Sequence, residues 1–219
     1  MTQFLLIRHA VNDFVKTGKL AGRTPGVHLN DDGKAQAEAL GKRLADAPIK
    51  QIYSSPLERT METAEAIRQH HPHLEIIENK EIWEVGYGDW QGAEIASLLQ
   101  RKMWRVIQEY PSRAYFPNGE TMREVQLRAV NAIETLVVKH PGEMIALVFH
   151  ADLIKMVLAH YLGMHLDNFQ RIEVSPASIS GLMLGHERPY IATMNDVAHV
   201  REMERERKQA AQAENGHTG

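Results

Sequence analysis

Phe4-Leu5-Leu6-Ile7-Arg8-His9-Ala10-Val11-Asn12 is the stretch that decides the reading of this chain. Four apolar residues in a row read as a strand buried on both faces, as in the sheet of an α/β protein. The run stops abruptly at an Arg-His pair. Ligands of open α/β sheets gather beyond the carboxyl ends of the strands, so the pair falls where a site would form. Ile145-Ala146-Leu147-Val148-Phe149 repeats the pattern and ends in His150-Ala151-Asp152.

Outward from the first strand, residues 12–30 are rich in Gly, Thr and Pro and form a loop long enough to carry function. Asn30-Asp31-Asp32-Gly33 offers turn and N-cap chemistry, after which Ala35, Ala39, Leu40 and Leu44 recur at helical spacing. Residues 49–53 and 74–78 read as short strands. Ser54-Ser55-Pro56-Leu57-Glu58-Arg59-Thr60 opens a helix reaching residue 69, with Ser55 as N-cap and Pro56 at the first helical position. The apolar spacing predicts single helices over 93–110, 121–139 and 152–162, and last strands over 172–175 and 178–184. This alternation specifies an α/β fold, a three-layer αβα sandwich with a mostly parallel sheet. Residues 84–121 form a helical, lid-like excursion above the strand ends. Residues 1–200 make one domain. From Arg201 the chain turns charged and then small and polar, so 201–219 are expected to be a helix extension fraying into a disordered tail.

The 219 residues, 43% hydrophobic and 24% charged, supply the core of one such domain. A net charge of −3 argues against nucleic-acid or membrane-surface partners. The absence of cysteine excludes disulfides, thiolate metal sites and cysteine nucleophiles. The N-terminus has neither a basic n-region nor an apolar stretch of signal-peptide or spanning length, so the expected location is the cytoplasm. His70-His71-Pro72-His73 has no standard zinc spacing and reads as an exposed turn. Trp83, Trp90 and Trp104 read as packing for the excursion.

Two strand-end histidines, Arg8 and the helix-start Arg59 together suit phosphoryl transfer. Arg8 and Arg59 are permanent planar donors matched to phosphate oxygens, and a helix opening near Ser55 adds N–H groups and a positive dipole end. A neutral imidazole attacks phosphorus, so His9 can take the phosphoryl group covalently. A protonated His150 would stabilise charge on the transferring oxygens. A departing alkoxide needs an acid, and Glu84, in the Gly- and Trp-rich loop, is the best candidate by type.

Leu6-Ile7-Arg8-His9-Ala10 resembles the Arg-His-Gly signature of the histidine phosphatase superfamily, the phosphoglycerate-mutase-like proteins. The stretch from Ser54 through Arg59 to Ala64 resembles its second motif, and Glu84-Val85-Gly86-Tyr87-Gly88-Asp89-Trp90-Gln91-Gly92 its acid-bearing loop. Pro117-Asn118-Gly119-Glu120-Thr121, Val148-Phe149-His150 and Asn195-Asp196-Val197-Ala198-His199 complete the order, over residues 4–200. The resemblance implies a phosphohistidine at His9, phosphate clamping by Arg8, Arg59 and His150, and Glu84 as proton donor. It further implies a reaction without metal or other cofactor, acting on a small phosphorylated substrate.

Ala10 and Ala151-Asp152 replace glycines usual in the family, and Asn12 stands in place of Thr or Ser, where its amide can reach phosphate. Arg23 is a further candidate phosphate contact. Val15 occupies a position where many mutases carry a phosphate-binding asparagine, while Leu20-Ala21-Gly22-Arg23-Thr24-Pro25-Gly26-Val27-His28-Leu29 resembles a bacterial subgroup labelled as phosphomutases. The expected activity is phosphomonoester hydrolysis, with a phosphomutase as the alternative and a non-catalytic phosphate-binding module as a lesser one.

Overall fold

A computed structural model describes residues 1–216. The chain runs β1 (Thr2–Arg8), α1 (Asp13–Thr17), α2 (Asp31–Leu44), β2 (Ile49–Ser54), α3 (Glu58–Arg68), β3 (Ile76–Glu78), α4 (Ile95–Leu98), α5 (Lys102–Glu109), α6 (Met122–Lys139), β4 (Met144–Phe149), α7 (Ala151–Tyr161), β5 (Ile179–Leu184), β6 (Tyr190–Asp196) and α8 (Ala198–Gly216). The strands form one sheet in the order β3-β2-β4-β1-β5-β6. Pairing is parallel from β3 through β1, and β5 runs antiparallel between β1 and β6. The expected three-layer, mostly parallel architecture is the observed one.

The alternation of side chains along the strands builds both layers. Phe4, Leu6, Tyr53, Ile145, Leu147 and Phe149 face one core with α6, α7 and the excursion. Leu5, Ile7, Ile52, Ala146 and Val148 face the other, against α2 and α3. Each fully buried Leu, Ile or Phe contributes about 1.5–3 kcal/mol, so the central strands are the most strongly fixed part of the molecule. Register then aligns their ends: Arg8 is opposite Phe149, and Val148 is opposite Ser54. His9, Ser55 and His150 therefore leave the sheet side by side.

Local chemistry sets the helix starts. Asn30 Oδ1 accepts from the Gly33 N–H to open α2, and Thr121 with Glu124 forms a capping box at α6. A Cβ at Gly33 would lie 2.0 Å from the Val11 carbonyl oxygen, so only glycine lets α2 approach the segment after β1 this closely.

Several elements differ from expectation. The single helix expected over 93–110 is broken into α4 and α5, because Leu98 and Ile107 are both buried yet would face opposite ways on one continuous helix at about 100° per residue. Residues 172–175 are not a strand. Pro176 cannot donate and Ala177 turns at φ 55, so the Val174 carbonyl accepts from Arg8 instead of a ladder partner. The loop over 12–30 contains α1, capped by Asn12. Ser55 is not the N-cap of α3, which starts at Glu58 after Leu57. His71 is buried, its Nε2 donating to the Leu44 carbonyl, rather than part of an exposed turn. The charged run from Arg201 continues as α8 through Gly216, longer than a short extension but helical as expected, and packs on α2; residues 217–219, at the end of the expected tail, lie outside the described residues. Among the described residues no helix is long and apolar enough to cross a membrane.

Candidate active site

A cavity of about 250 Å³ opens beyond the carboxyl ends of the central strands. Arg8, His9, Asn12 and Arg59 line its floor, Glu84, Tyr87 and Asp152 one wall, and Phe14, Val15, Lys19, Leu20 and Ile95 its remaining margin.

His9 is almost fully buried, with Nδ1 2.7 Å from the Ala10 carbonyl. A carbonyl only accepts, so Nδ1 carries the proton and Nε2 presents a lone pair. Arg59 Nε points at that lone pair from 3.4 Å. Burial, then the Arg59 and Arg8 charges, hold the His9 pKa well below the usual imidazole range, so the ring is neutral at physiological pH.

His150 is fully buried behind His9, with ring centroids 5.4 Å apart. Its Nδ1 lies 3.4 Å from Arg59 Nη2, which can only donate, so in the neutral ring Nε2 donates to Ser55 Oγ at 2.8 Å. Burial and the nearby Arg59 push the His150 pKa well down.

Three donors on the floor, Arg8 Nε, Asn12 Nδ2 and Arg59 Nη1, are buried and unpartnered within the protein. Buried donors without partners are rare and costly, and three of them around one cavity make a cradle for an anion's oxygens. Asn12 Oδ1 caps α1 by accepting from the Val15 N–H, which leaves Nδ2 without a partner in the protein. The remaining Arg59 group, Nη2, donates to the Gly22 carbonyl at 2.8 Å. Arg8 Nη1 donates to the Val174 carbonyl at 2.8 Å.

Glu84 Oε2 lies 3.4 Å from His150 Nδ1 and 3.9 Å from Arg59 Nη2. Burial raises its pKa from 4.5 to about 7, with Arg59 opposing and Asp152 assisting. Its main chain is clamped from both sides. Arg23 Nε and Arg128 Nη2 donate to the Glu84 carbonyl at 2.8 and 3.1 Å. Both arginines also pair with Glu120, at 2.7 and 2.8 Å, and Glu120 accepts from the Gly86 N–H at 2.7 Å. Gly88 permits this docking: its φ is +52, and a Cβ there would lie 2.0 Å from the Pro117 carbonyl oxygen.

His9, His150, Arg8, Arg59, Glu84 and Asn12 are thus brought together. Arg23 is not: its guanidinium is taken up by Glu84 and Glu120 and lies over Trp83 at 4.6 Å. Trp90 is buried and stacks on Trp104, as expected of packing residues. Sequence reasoning missed Ser55 as the partner of His150, and Tyr87, whose hydroxyl donates to Asp152 at 3.4 Å. Asp152 neither orients His150 nor caps α7; it lines the cavity beside Lys155, 3.7 Å away. Among the described residues no group of three or more His, Asp or Glu could hold a metal ion.

Fold and cavity together define an α/β protein with a buried histidine pair and three unpartnered donors at the carboxyl edge of its sheet. A family model described as the histidine phosphatase superfamily (branch 1) matches residues 4–197, and the chain belongs to that family. It is 28% identical to phosphoserine phosphatase 1 of Hydrogenobacter thermophilus, covering 92% of this chain and 96% of that one. It is 29% identical to phosphoglycerate mutase-like protein 4 of Arabidopsis thaliana, over 70% of this chain and 68% of the other. The solved structure of YhfR from Bacillus stearothermophilus superposes with a TM-score of 0.86 at 26% identity, covering 91% of this chain and 100% of that one.

Proposed function

We propose that the protein hydrolyses phosphomonoesters of small metabolites through a covalent phosphohistidine at His9. The observation that carries the reading is a buried imidazole whose Nδ1 faces a carbonyl, so that its Nε2 lone pair belongs to the same cavity as three unpartnered donors and the Glu84 carboxyl. His9 Nε2 forms a bond to phosphorus as the ester P–O bond breaks, and Glu84 gives its proton to the departing alkoxide. Arg8, Arg59 and Asn12 hold the equatorial oxygens, and the Ala10 carbonyl supports the charge that His9 gains. The phosphate dianion favours protonation of His150, offsetting the arginines that keep it neutral beforehand. In the second half Glu84 takes a proton from water, water oxygen attacks phosphorus, the N–P bond breaks, and inorganic phosphate leaves.

Hydrolysis is favoured over mutase chemistry by the cavity margin. A mutase must hold a second phosphate and exclude water, yet beyond Arg8 and Arg59 the one Lys or Arg among the described lining residues is Lys19. The names of the relatives include both phosphatase and mutase activities. A cytoplasmic location accords with the cysteine-free sequence. The test is phosphate release from p-nitrophenyl phosphate in excess chelator. The wild type is expected to turn over and His9→Ala to lose at least about 10³-fold. Turnover that survives in His9→Ala, or is abolished by chelator, would overturn the reading.

A further inference from the structure

Segment 174–178 has no regular structure, yet it holds both members of the Arg8–His9 pair. The Val174 carbonyl accepts from the Arg8 guanidinium at 2.8 Å. The Ser178 carbonyl accepts from the Arg8 main-chain N–H at 3.2 Å, and the Ala177 N–H donates to the His9 carbonyl at 3.3 Å. Within this short segment Ala177 sits at φ 55, a left-handed conformation that a residue with a Cβ adopts only at a cost. Such an outlier persists when its surroundings over-determine it.

What over-determines it comes from the end of β6 and the start of α8. Asn195, itself at φ 52, accepts from the Ser175 N–H through Oδ1 at 2.7 Å and donates from Nδ2 to Ser175 Oγ at 3.3 Å. The buried His199 donates from Nε2 to the Ala177 carbonyl at 3.0 Å. These two residues bracket the Asn195-Asp196-Val197-Ala198-His199 motif, and neither lines the catalytic cavity. They grip the segment at Ser175 and Ala177, between the Val174 and Ser178 carbonyls that accept from Arg8.

We infer that Asn195 and His199 are positioning residues for the reaction, fixing the Arg8 guanidinium and the His9 main chain through segment 174–178. The inference rests on the phosphohistidine reading above. It explains why two non-glycine residues in left-handed conformations sit one layer behind the nucleophile.

The experiment compares Asn195→Gly with Asn195→Asp, and His199→Ala with His199→Gln, by steady-state and rapid-quench kinetics on p-nitrophenyl phosphate and by inhibition with inorganic phosphate. Asn195→Gly accepts φ 52 without strain but removes the side-chain grip, whereas Asn195→Asp keeps an acceptor for Ser175. His199→Gln keeps an N–H donor for Ala177. Asn195→Gly and His199→Ala are expected to lower kcat by about 10- to 100-fold, the scale of a displacement near 1 Å. The phosphohistidine burst should keep its amplitude and lose rate, and phosphate should inhibit more weakly. Asn195→Asp and His199→Gln should recover most of the loss.

Folded Asn195→Gly and His199→Ala proteins with kcat within about twofold of wild type would overturn the inference. So would a loss of burst amplitude at unchanged burst rate, because that marks fewer folded molecules rather than a misplaced nucleophile. His9→Ala run alongside separates the two claims. If it is inactive while Asn195→Gly is normal, the positioning role alone fails; if it turns over, the phosphohistidine reading fails.

Discussion

The floor and the acid-bearing wall of the cavity are held in place by different means. Arg8, His9 and His150 follow directly from β1 and β4, whose main chains are locked by parallel pairing and whose side chains fill both cores. Glu84 has no such support. It sits between short turns, and its main chain is gripped by Arg23 and Arg128 gathered around Glu120. The strand-borne part of the floor is fixed by backbone hydrogen bonds, and the wall by charges. In the proposed mechanism the chemistry divides in the same way: the floor binds and attacks, and the wall manages the proton.

The largest effect that tests this division is on leaving-group dependence. Glu84→Gln should slow phosphorylation by alkyl phosphates by about 10²- to 10⁴-fold, yet change p-nitrophenyl phosphate far less, because an activated phenolate departs without a proton. Equal losses on both would remove Glu84 from the acid role. In the wild type, alkyl phosphate turnover should fall as pH rises through about 7, where Glu84 loses its proton, while the already neutral His9 contributes no such limb.

A smaller effect belongs to the brace. Glu120→Gln should lower kcat on alkyl phosphates about tenfold by loosening the Glu84 main chain, and leave phosphate inhibition, a property of the floor, unchanged. Burial pushes the Glu120 pKa up, but Arg128, the Gly86 N–H and Arg23 outweigh it and lower the pKa below the usual carboxylate value. With a depressed folded value, the stabilisation it gives is present above the ordinary carboxylate pKa and fades as pH falls through the depressed one. Weakened phosphate binding in Glu120→Gln would show that floor and wall are not separable.

The smallest effect is on stability and has the opposite sign. Because the Glu84 pKa is raised from 4.5 to about 7 in the folded protein, its favourable contribution is full below 4.5 and lost as pH rises through about 7. Gln cannot ionise. Glu84→Gln should therefore be more stable than wild type at pH 8 by about 1–3 kcal/mol and equal to it at pH 4, as urea denaturation would reveal.

The same contrast governs what the sequence disclosed. Strand ends are written locally, since an apolar run and the residue that stops it lie together, so His9 and His150 were legible as a pair. Arg59 was legible because its placement early in a helix is unfavourable without an anion. Partner choice across the fold was not. Ser55 looks like a helix cap until register brings it beside His150, and Arg23 looks like a ligand contact until Glu120 is seen to hold it. Glu120 itself lay within a quoted motif but carried no local sign of its use. The break between α4 and α5 was hidden because periodicity identifies apolar positions without saying that two of them must reach one core.

Arg8 and Val174 stand 166 positions apart in the chain and meet in one hydrogen bond. Loops closed over such distances form late, after local helices have appeared, because closure entropy precedes the reward. During refolding, helical signal should therefore return before turnover does. Enzyme activity is then expected to report completed topology, with a molecule that has folded its helices but not brought Val174 to Arg8 remaining inactive.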